Sequence, residues 1–177
     1  LYALYLIKPK DNIYIQIGNR YNYRMLNAQF KADEFYQFSF DEILLKNSAY
    51  TASGSVVYYD KNECKYNLIL SSGFRAPNLD DVAKVFDSAP RKVVIPNEAL
   101  KPEFSKNIEL GLDKTFNNRL NVKFVIFQNH INNIIVREDA QFNGQDSIIY
   151  DGVLSRVEQQ TNSGKALIRG FSINIRS

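Results

Sequence analysis

Hydrophobic and polar residues alternate with a period of two along much of this chain. Ile13, Ile15 and Ile17 are interleaved with Tyr14, Gln16 and Gly18, and Tyr66, Leu68 and Leu70 with Asn67, Ile69 and Ser71. Ile108, Leu110 and Leu112 alternate with Asn107, Glu109, Gly111 and Asp113. Val122, Phe124 and Ile126 alternate with Asn121, Lys123, Val125 and Phe127, and Phe171, Ile173 and Ile175 with Ser172, Asn174 and Arg176. Successive side chains of a strand point to opposite faces, so each row predicts a strand with one apolar face. A period of 3.6 would scatter the same rows around a helix. Residues 2–7 and 53–59 also read as strands, with less contrast between their faces.

The connections alternate between short and long. Pro9-Lys10-Asp11-Asn12, Asp60-Lys61-Asn62-Glu63 and Asn117-Asn118 carry the Asn, Asp and Pro residues that tight turns require. Between them lie long excursions over 22–52 (partly as strand extensions), 75–104 and 137–164, with one short helix predicted around Leu79, Val82, Ala83 and Phe86. The fold expected is all-β: an antiparallel up-and-down meander of about seven strands. Its predicted pairs join 1–8 to 13–23, 53–59 to 65–74 and 105–116 to 120–136. Short turns at one end and long loops at the other are the asymmetry of outer-membrane barrels. On the lipid face Lys or Arg costs about 2–4 kcal/mol at mid-bilayer. Glu109, Asp113 and Lys123 are therefore expected inside the barrel, with Leu110 and Phe124 facing lipid. The alternative is a soluble sandwich or barrel whose apolar rows face a core.

Composition narrows the function classes. Apolar residues make up 45% of the chain, which excludes a disordered coil, and the 11 Tyr and 12 Phe favour strands. The net charge of +3 is spread without a basic run, so nucleic acid is not an expected partner. Cys64 and His130 are the only residues of their types, which leaves no intrachain disulfide, no thiolate metal cluster and no cofactor or metal site to expect. No nucleophile, base and orienting group converge, so an enzyme is the least supported class. Residues 1–7 lack the features of a signal peptide, and no apolar run approaches the ~20 residues of a membrane helix.

Three segments resemble motifs of the TonB-dependent outer-membrane receptors. Ser71-Ser72-Gly73-Phe74-Arg75-Ala76-Pro77-Asn78-Leu79 resembles the family's GFRAP-x-L at the end of a barrel strand. Pro96-Asn97-Glu98-Ala99-Leu100-Lys101-Pro102-Glu103-Phe104-Ser105 resembles NP-x-L-KPE-x-S and runs into Asn107-Ile108-Glu109-Leu110-Gly111. Asn162-Ser163-Gly164-Lys165-Ala166-Leu167-Ile168-Arg169-Gly170 resembles N-x-G-x-A-x-x-x-G, which opens a late strand. The three stand in the family's order over the C-terminal two-thirds of the chain, and Gly18-Asn19-Arg20-Tyr21 is a looser match to an earlier motif. Pro96-Asn97 inverts the usual Asn-Pro, and Phe171 replaces the acidic or related residue that usually follows the last Gly.

The resemblance implies that residues 1–177 are a C-terminal piece of a large transmembrane barrel of about 22 strands. A plug domain and the final strand or strands are then expected outside this sequence. It implies location in the bacterial outer membrane, contact with membrane lipid and the chain's own plug, and coupling to the TonB complex through a missing N-terminal region. The function implied is active uptake of a scarce ligand of ferric siderophore, haem or cobalamin type. The other readings are a glycan or peptide receptor of the same fold, and a soluble or surface-attached β-sheet binding protein.

Candidate functional residues follow from placement. Arg75 is expected on the inner wall, pairing with Glu103 or Glu109 or touching the plug; plain barrel architecture is the simpler reading for all three. Arg91, Lys92, Arg137, Tyr150 and Arg156 fall on the long excursions, where Arg and aromatic side chains suit an anionic planar chelate. Taken singly, each is an ordinary solvated loop residue. His130 reads as a strand-end residue before it reads as a metal ligand. Glu138-Asp139 reads as solvated before it reads as a cation site, and Cys64 is a bystander beside a short turn.

Overall fold

The alternating rows form strands in a computed structural model, which describes residues 1–29, 42–82, 86–117 and 119–177. Seven long strands make the meander: β1 (Tyr2–Lys10), β2 (Ile13–Gln29), β3 (Glu42–Tyr59), β4 (Lys65–Arg75), β7 (Glu103–Phe116), β8 (Leu120–Asp139) and β10 (Val153–Arg176). Three short strands decorate them: β5 (Phe86–Ala89), β6 (Lys92–Ile95) and β9 (Ser147–Tyr150). The sheet runs β1-β2-β3-β4-β7-β8-β10-β6-β5, with β9 against β10. The three expected pairs are antiparallel as predicted, and the strands run longer than the alternation alone marked. β2 and β3 pair from Ile13↔Tyr58 to Gln29↔Glu42, which absorbs most of the first excursion into strand.

Register fixes the faces, because directly paired residues share one. Leu110 stands opposite Ile126 and Leu68, Leu112 opposite Phe124 and Tyr66, and Phe171 opposite Ile126. All are on one face, which stays open: Leu110 is 46% exposed and Phe171 70%. Glu109, Asp113 and Lys123 share the other face, where Asn121 Nδ2 donates to Asp113 Oδ1 at 2.7 Å. The packed clusters lie away from the apolar rows. Ile43 of β3 meets Val82 and Leu100 from the second connection, with Leu26, Ala28, Leu45 and Ile135 around them. Leu26, Ala28, Ile43 and Leu45 all lie on the polar face of β2 and β3. The second connection therefore folds inward over that face.

Four local expectations are corrected. The helix is a single turn, α1 (Leu79–Val82), and Phe86 is in β5; Ala83 lies outside the described residues. Asn78 caps that turn, accepting from Asp81 N while Asp81 Oδ2 accepts from Asn78 N. Pro9 is not the corner of the first turn: it sits in β1 beside a register shift between Ile7 and Lys10, and Asp11 and Asn12 make the turn. The third excursion is mostly strand, since β8 runs to Asp139 and β10 begins at Val153. Finally, β6 pairs with β10 in parallel, Arg156↔Lys92 to Gln159↔Ile95, in a sheet otherwise antiparallel among the described residues. A crossover of this kind is free of the tight-turn rule because a long connection separates the two strands. Asn118 of the third turn lies outside the described residues, and Asn117 has the positive φ of 49° expected of a turn residue.

Candidate functional site

The motif residues converge at the long-connection end of the sheet. Arg75 ends β4 directly opposite Glu103, which opens β7. Its guanidinium donates twice to that carboxylate, from Nε at 2.8 Å and NH2 at 2.9 Å, and once more to Asp81 Oδ2 at 2.7 Å. Glu103 Oε1 also accepts from the backbone N–H of Ile135 at 2.8 Å. One arginine thus ties β4, α1 and β7 together, and its carboxylate partner reaches β8. Glu109 takes no part: it is farther down β7, opposite Ile69 and Phe127.

Both members of the pair lie at strand ends, outside the ~9–11 residues that cross a bilayer. The Arg75 hydrogen bonds hold the Glu103 carboxyl below the usual carboxylate range; partial burial opposes them and the Ile135 N–H assists. A carboxyl lowered on folding adds stability above its ordinary range, and that stability is lost as pH falls through the folded value. Arg75→Ala in the full-length receptor should cost about 2 kcal/mol, because two largely covered carboxylates lose their shared donor. Arg75→Lys should recover little of it, since an ammonium cannot make the two-pronged contact. Chemical unfolding measures this, and a lysine variant as stable as the parent would sink the argument.

Side-chain amides clamp the second connection to β10. Asn162 accepts from Lys101 N at 2.7 Å and donates to Lys101 O and Asn133 O, each at 2.8 Å. It therefore imitates a neighbouring strand for Lys101. Asn133 has φ 57° and is the extra residue of a bulge opposite Gly164 and Lys165, so its carbonyl is turned toward this donor. Asn97 Nδ2 donates to Gln160 O at 2.6 Å, and Gln159 Nε2 to Pro96 O at 2.7 Å. Three motifs that are far apart in sequence are thus one hydrogen-bonded knot.

Beyond the knot, β6, β8, β9 and β10 carry the residues expected to meet a ligand. Lys92 Nζ lies 2.7 Å from Glu158 Oε1, Arg137 Nε is 3.8 Å from Glu158 Oε2, and Arg156 NH2 is 2.6 Å from Asp139 Oδ2. Registry puts Lys92, Arg137, Asp139, Arg156 and Glu158 on one face. That face continues from Ile135, two residues before Arg137, which packs with the inward cluster. Arg91 is in the β5–β6 turn with φ 61°, exposed, and its carbonyl accepts from Arg156 N at 2.8 Å. Tyr150 is not with them. It pairs with Val153 on the opposite face and packs against Val93, Ile95 and Val157.

The sequence reading missed Glu158, only 6% exposed, which draws Lys92 and Arg137 together. Nothing local marks it, since its cations stand in other strands. Four cations (Arg91, Lys92, Arg137, Arg156) less two carboxylates (Asp139, Glu158) leave a net charge of +2 at this site. Glu138 accepts from Thr161 Oγ1 at 2.8 Å and from the Ser163 hydroxyl, so the Glu138-Asp139 carboxylates are both engaged by protein groups. His130 Nε2 lies 2.7 Å from Gln128 Nε2. Among the described residues no cluster of His, Cys, Asp and Glu could hold a metal ion, and no helix is long and apolar enough to cross a membrane.

The family model for the TonB dependent receptor-like β-barrel matches residues 1–177. The chain belongs to the TonB-dependent receptor β-barrel family. No curated protein matches it. Similar solved structures include the siderophore receptor PirA from Pseudomonas aeruginosa, at 16% identity and TM-score 0.71, covering 98% of this chain and 30% of that one. The hemophore receptor HasR of Serratia marcescens, solved with its hemophore HasA and heme, gives 14% identity and TM-score 0.73, covering 99% and 31%. The FrpB iron transporter from Neisseria meningitidis gives 14% and 0.66, covering 98% and 23%. This receptor chain therefore spans a third or less of those proteins. Membership places it in the outer membrane; in barrels of that membrane apolar rows face lipid, and the long loops lie on the extracellular side.

Proposed function

We propose that this chain forms part of a receptor that captures an anionic metal chelate, of ferric siderophore or haem type, for TonB-coupled uptake. The plug domain, the TonB-contacting segment and the remaining strands belong to parts of the receptor beyond these 177 residues. The observation that carries the ligand class is the net positive cluster of Arg91, Lys92, Arg137 and Arg156. It lies at the extracellular mouth, held in place by the motif knot on the lumen side. Arginine and lysine in a partly enclosed mouth focus anions and give charge-assisted hydrogen bonds. Proteins of similar fold are a siderophore receptor, a hemophore receptor solved with heme and an iron transporter.

Arg91 and Arg156 are the two to remove. Each is exposed, and Arg156 pairs with the exposed Asp139. Replacing Arg91 with Asn, which tolerates its positive φ, together with Arg156→Ala should weaken binding of a ferric catecholate or haemin by about tenfold in low salt. The difference should shrink as salt is added. Titration calorimetry on the full-length receptor measures both. Unchanged affinity for both chelates, with tight binding of a neutral glycan or peptide instead, would replace this reading with the second receptor class.

A further inference from the structure

The charges at the mouth stand in rows, and the middle row has the wrong sign for an anion site. On one face of β10, Arg156 lies beside Lys92, Glu158 lies between Val94 and Asp139, and Gln160 lies beside Arg137. From the long-connection end inward the order is therefore cations, carboxylates, cation. The span from Arg156 to Gln160 is about 13 Å along the strand. The side chain of Glu158 is 8% exposed, and it meets Lys92 Nζ at 2.7 Å on one side and Arg137 Nε at 3.8 Å on the other. Those two cations are 46% and 39% exposed. Each thus turns one side to the carboxylate and another to solvent. The neighbouring Arg156–Asp139 pair is different, because both of its side chains are more than half exposed.

Burial decides which cations an arriving anion can draw away. The exposed Arg156–Asp139 pair opens at small cost, since water replaces the lost partner. Glu158 is too buried for that exchange, and a buried carboxylate stripped of its cations is strongly destabilised. An anion at the mouth can therefore share Lys92 and Arg137 with Glu158 but cannot remove them, and it is repelled by the fixed negative charge behind them.

We propose that Glu158 is a built-in competitor, an internal anion that keeps Lys92 and Arg137 partly occupied and so limits the affinity of the mouth for an anionic chelate. Its role in uptake is release: Glu158 stays beside both cations and takes them back as the chelate leaves. The inference deepens the proposed capture of an anionic chelate and rests on it. Titration calorimetry and stopped-flow release on the full-length receptor test it, with a ferric tris-catecholate as the probe. Glu158→Gln keeps the shape and removes the charge, and it should tighten binding about tenfold in low salt, chiefly through slower release. Damage to the site could only weaken binding, so the direction of the change separates competition from lost structure. Glu158→Asp, which keeps the charge, should return the affinity most of the way to the parent's. Lys92→Gln should weaken binding about threefold in the parent and about tenfold in the Glu158→Gln background, because the freed ammonium carries more of the contact. Equal or weaker binding by Glu158→Gln, where the parent binds the probe, overturns this inference and leaves the proposed capture standing. So does equal tightening by Glu158→Asp, or an equal cost of Lys92→Gln in both backgrounds. A parent that does not bind the probe overturns the proposed capture and this inference together.

Discussion

Expressed alone in detergent-free buffer, the 177-residue chain will sediment as aggregate and show no cooperative melting. Its apolar rows have nothing to cover them: Ile108, Leu110 and Leu112 are 36–46% exposed, and Phe171, Ile173 and Ile175 57–70%. Burying such side chains is worth about 1.5–3 kcal/mol each, so association is strongly driven. The described sheet adds an edge at β1 and another along the lower part of β10, and both present unpaired N–H and C=O groups. Inserting the same arc alone into lipid leaves those groups unsatisfied at several kcal/mol each. Sedimentation and circular dichroism, with and without detergent, measure the outcome. A monodisperse monomer with a sharp thermal transition in plain buffer would revive the soluble sheet reading and end the lipid-facing assignment of these rows.

In the full-length receptor, Leu110→Arg should destabilise the barrel by about 2–4 kcal/mol. Leu110 lies mid-strand between Leu68 and Ile126, at the centre of the lipid-facing band. That face of β4, β7 and β8 holds no carboxylate near Leu110 to pair with a guanidinium, and Gln128 is the nearest polar neighbour on β8. Asn107→Arg, three residues away on the lumen face, should change stability by much less, because water and the polar residues Ser71 and Asn129 face it. Guanidine unfolding from liposomes compares the two. Equal destabilisation would mean that the faces have been assigned the wrong way round.

Gly170 shows how far local sequence reaches. A Cβ there would stand 2.6 Å from Cζ of Phe127, its cross-strand partner, so the ring lies over the bare glycine on the lumen face. The motif marks Gly170 as special, and its spacing to Gly164 is visible in the sequence. The reason is a ring 43 positions earlier on another strand, and only pairing discloses it.

Alternation is a relation between neighbours in the chain, so the amino-acid order alone determined the strand class, the two faces and three hairpin pairs. It also determined which strand ends carry long connections, because turn residues act locally. Residue types at motif positions were likewise legible. The partnerships among them were decided in three dimensions: Arg75 with Glu103 and Asp81, Asn162 with Lys101 and Asn133. So were the parallel β6–β10 pairing and the bulge at Asn133. An inserted residue reverses which side chains face inward, and no periodicity rule locates it before the strands are paired. The sequence grouped Tyr150 with Arg91, Lys92, Arg137 and Arg156 because all fall on long excursions; pairing of β9 with β10 puts Tyr150 on the opposite face, and pairing of β8 and β6 with β10 sets Glu158 among the cations.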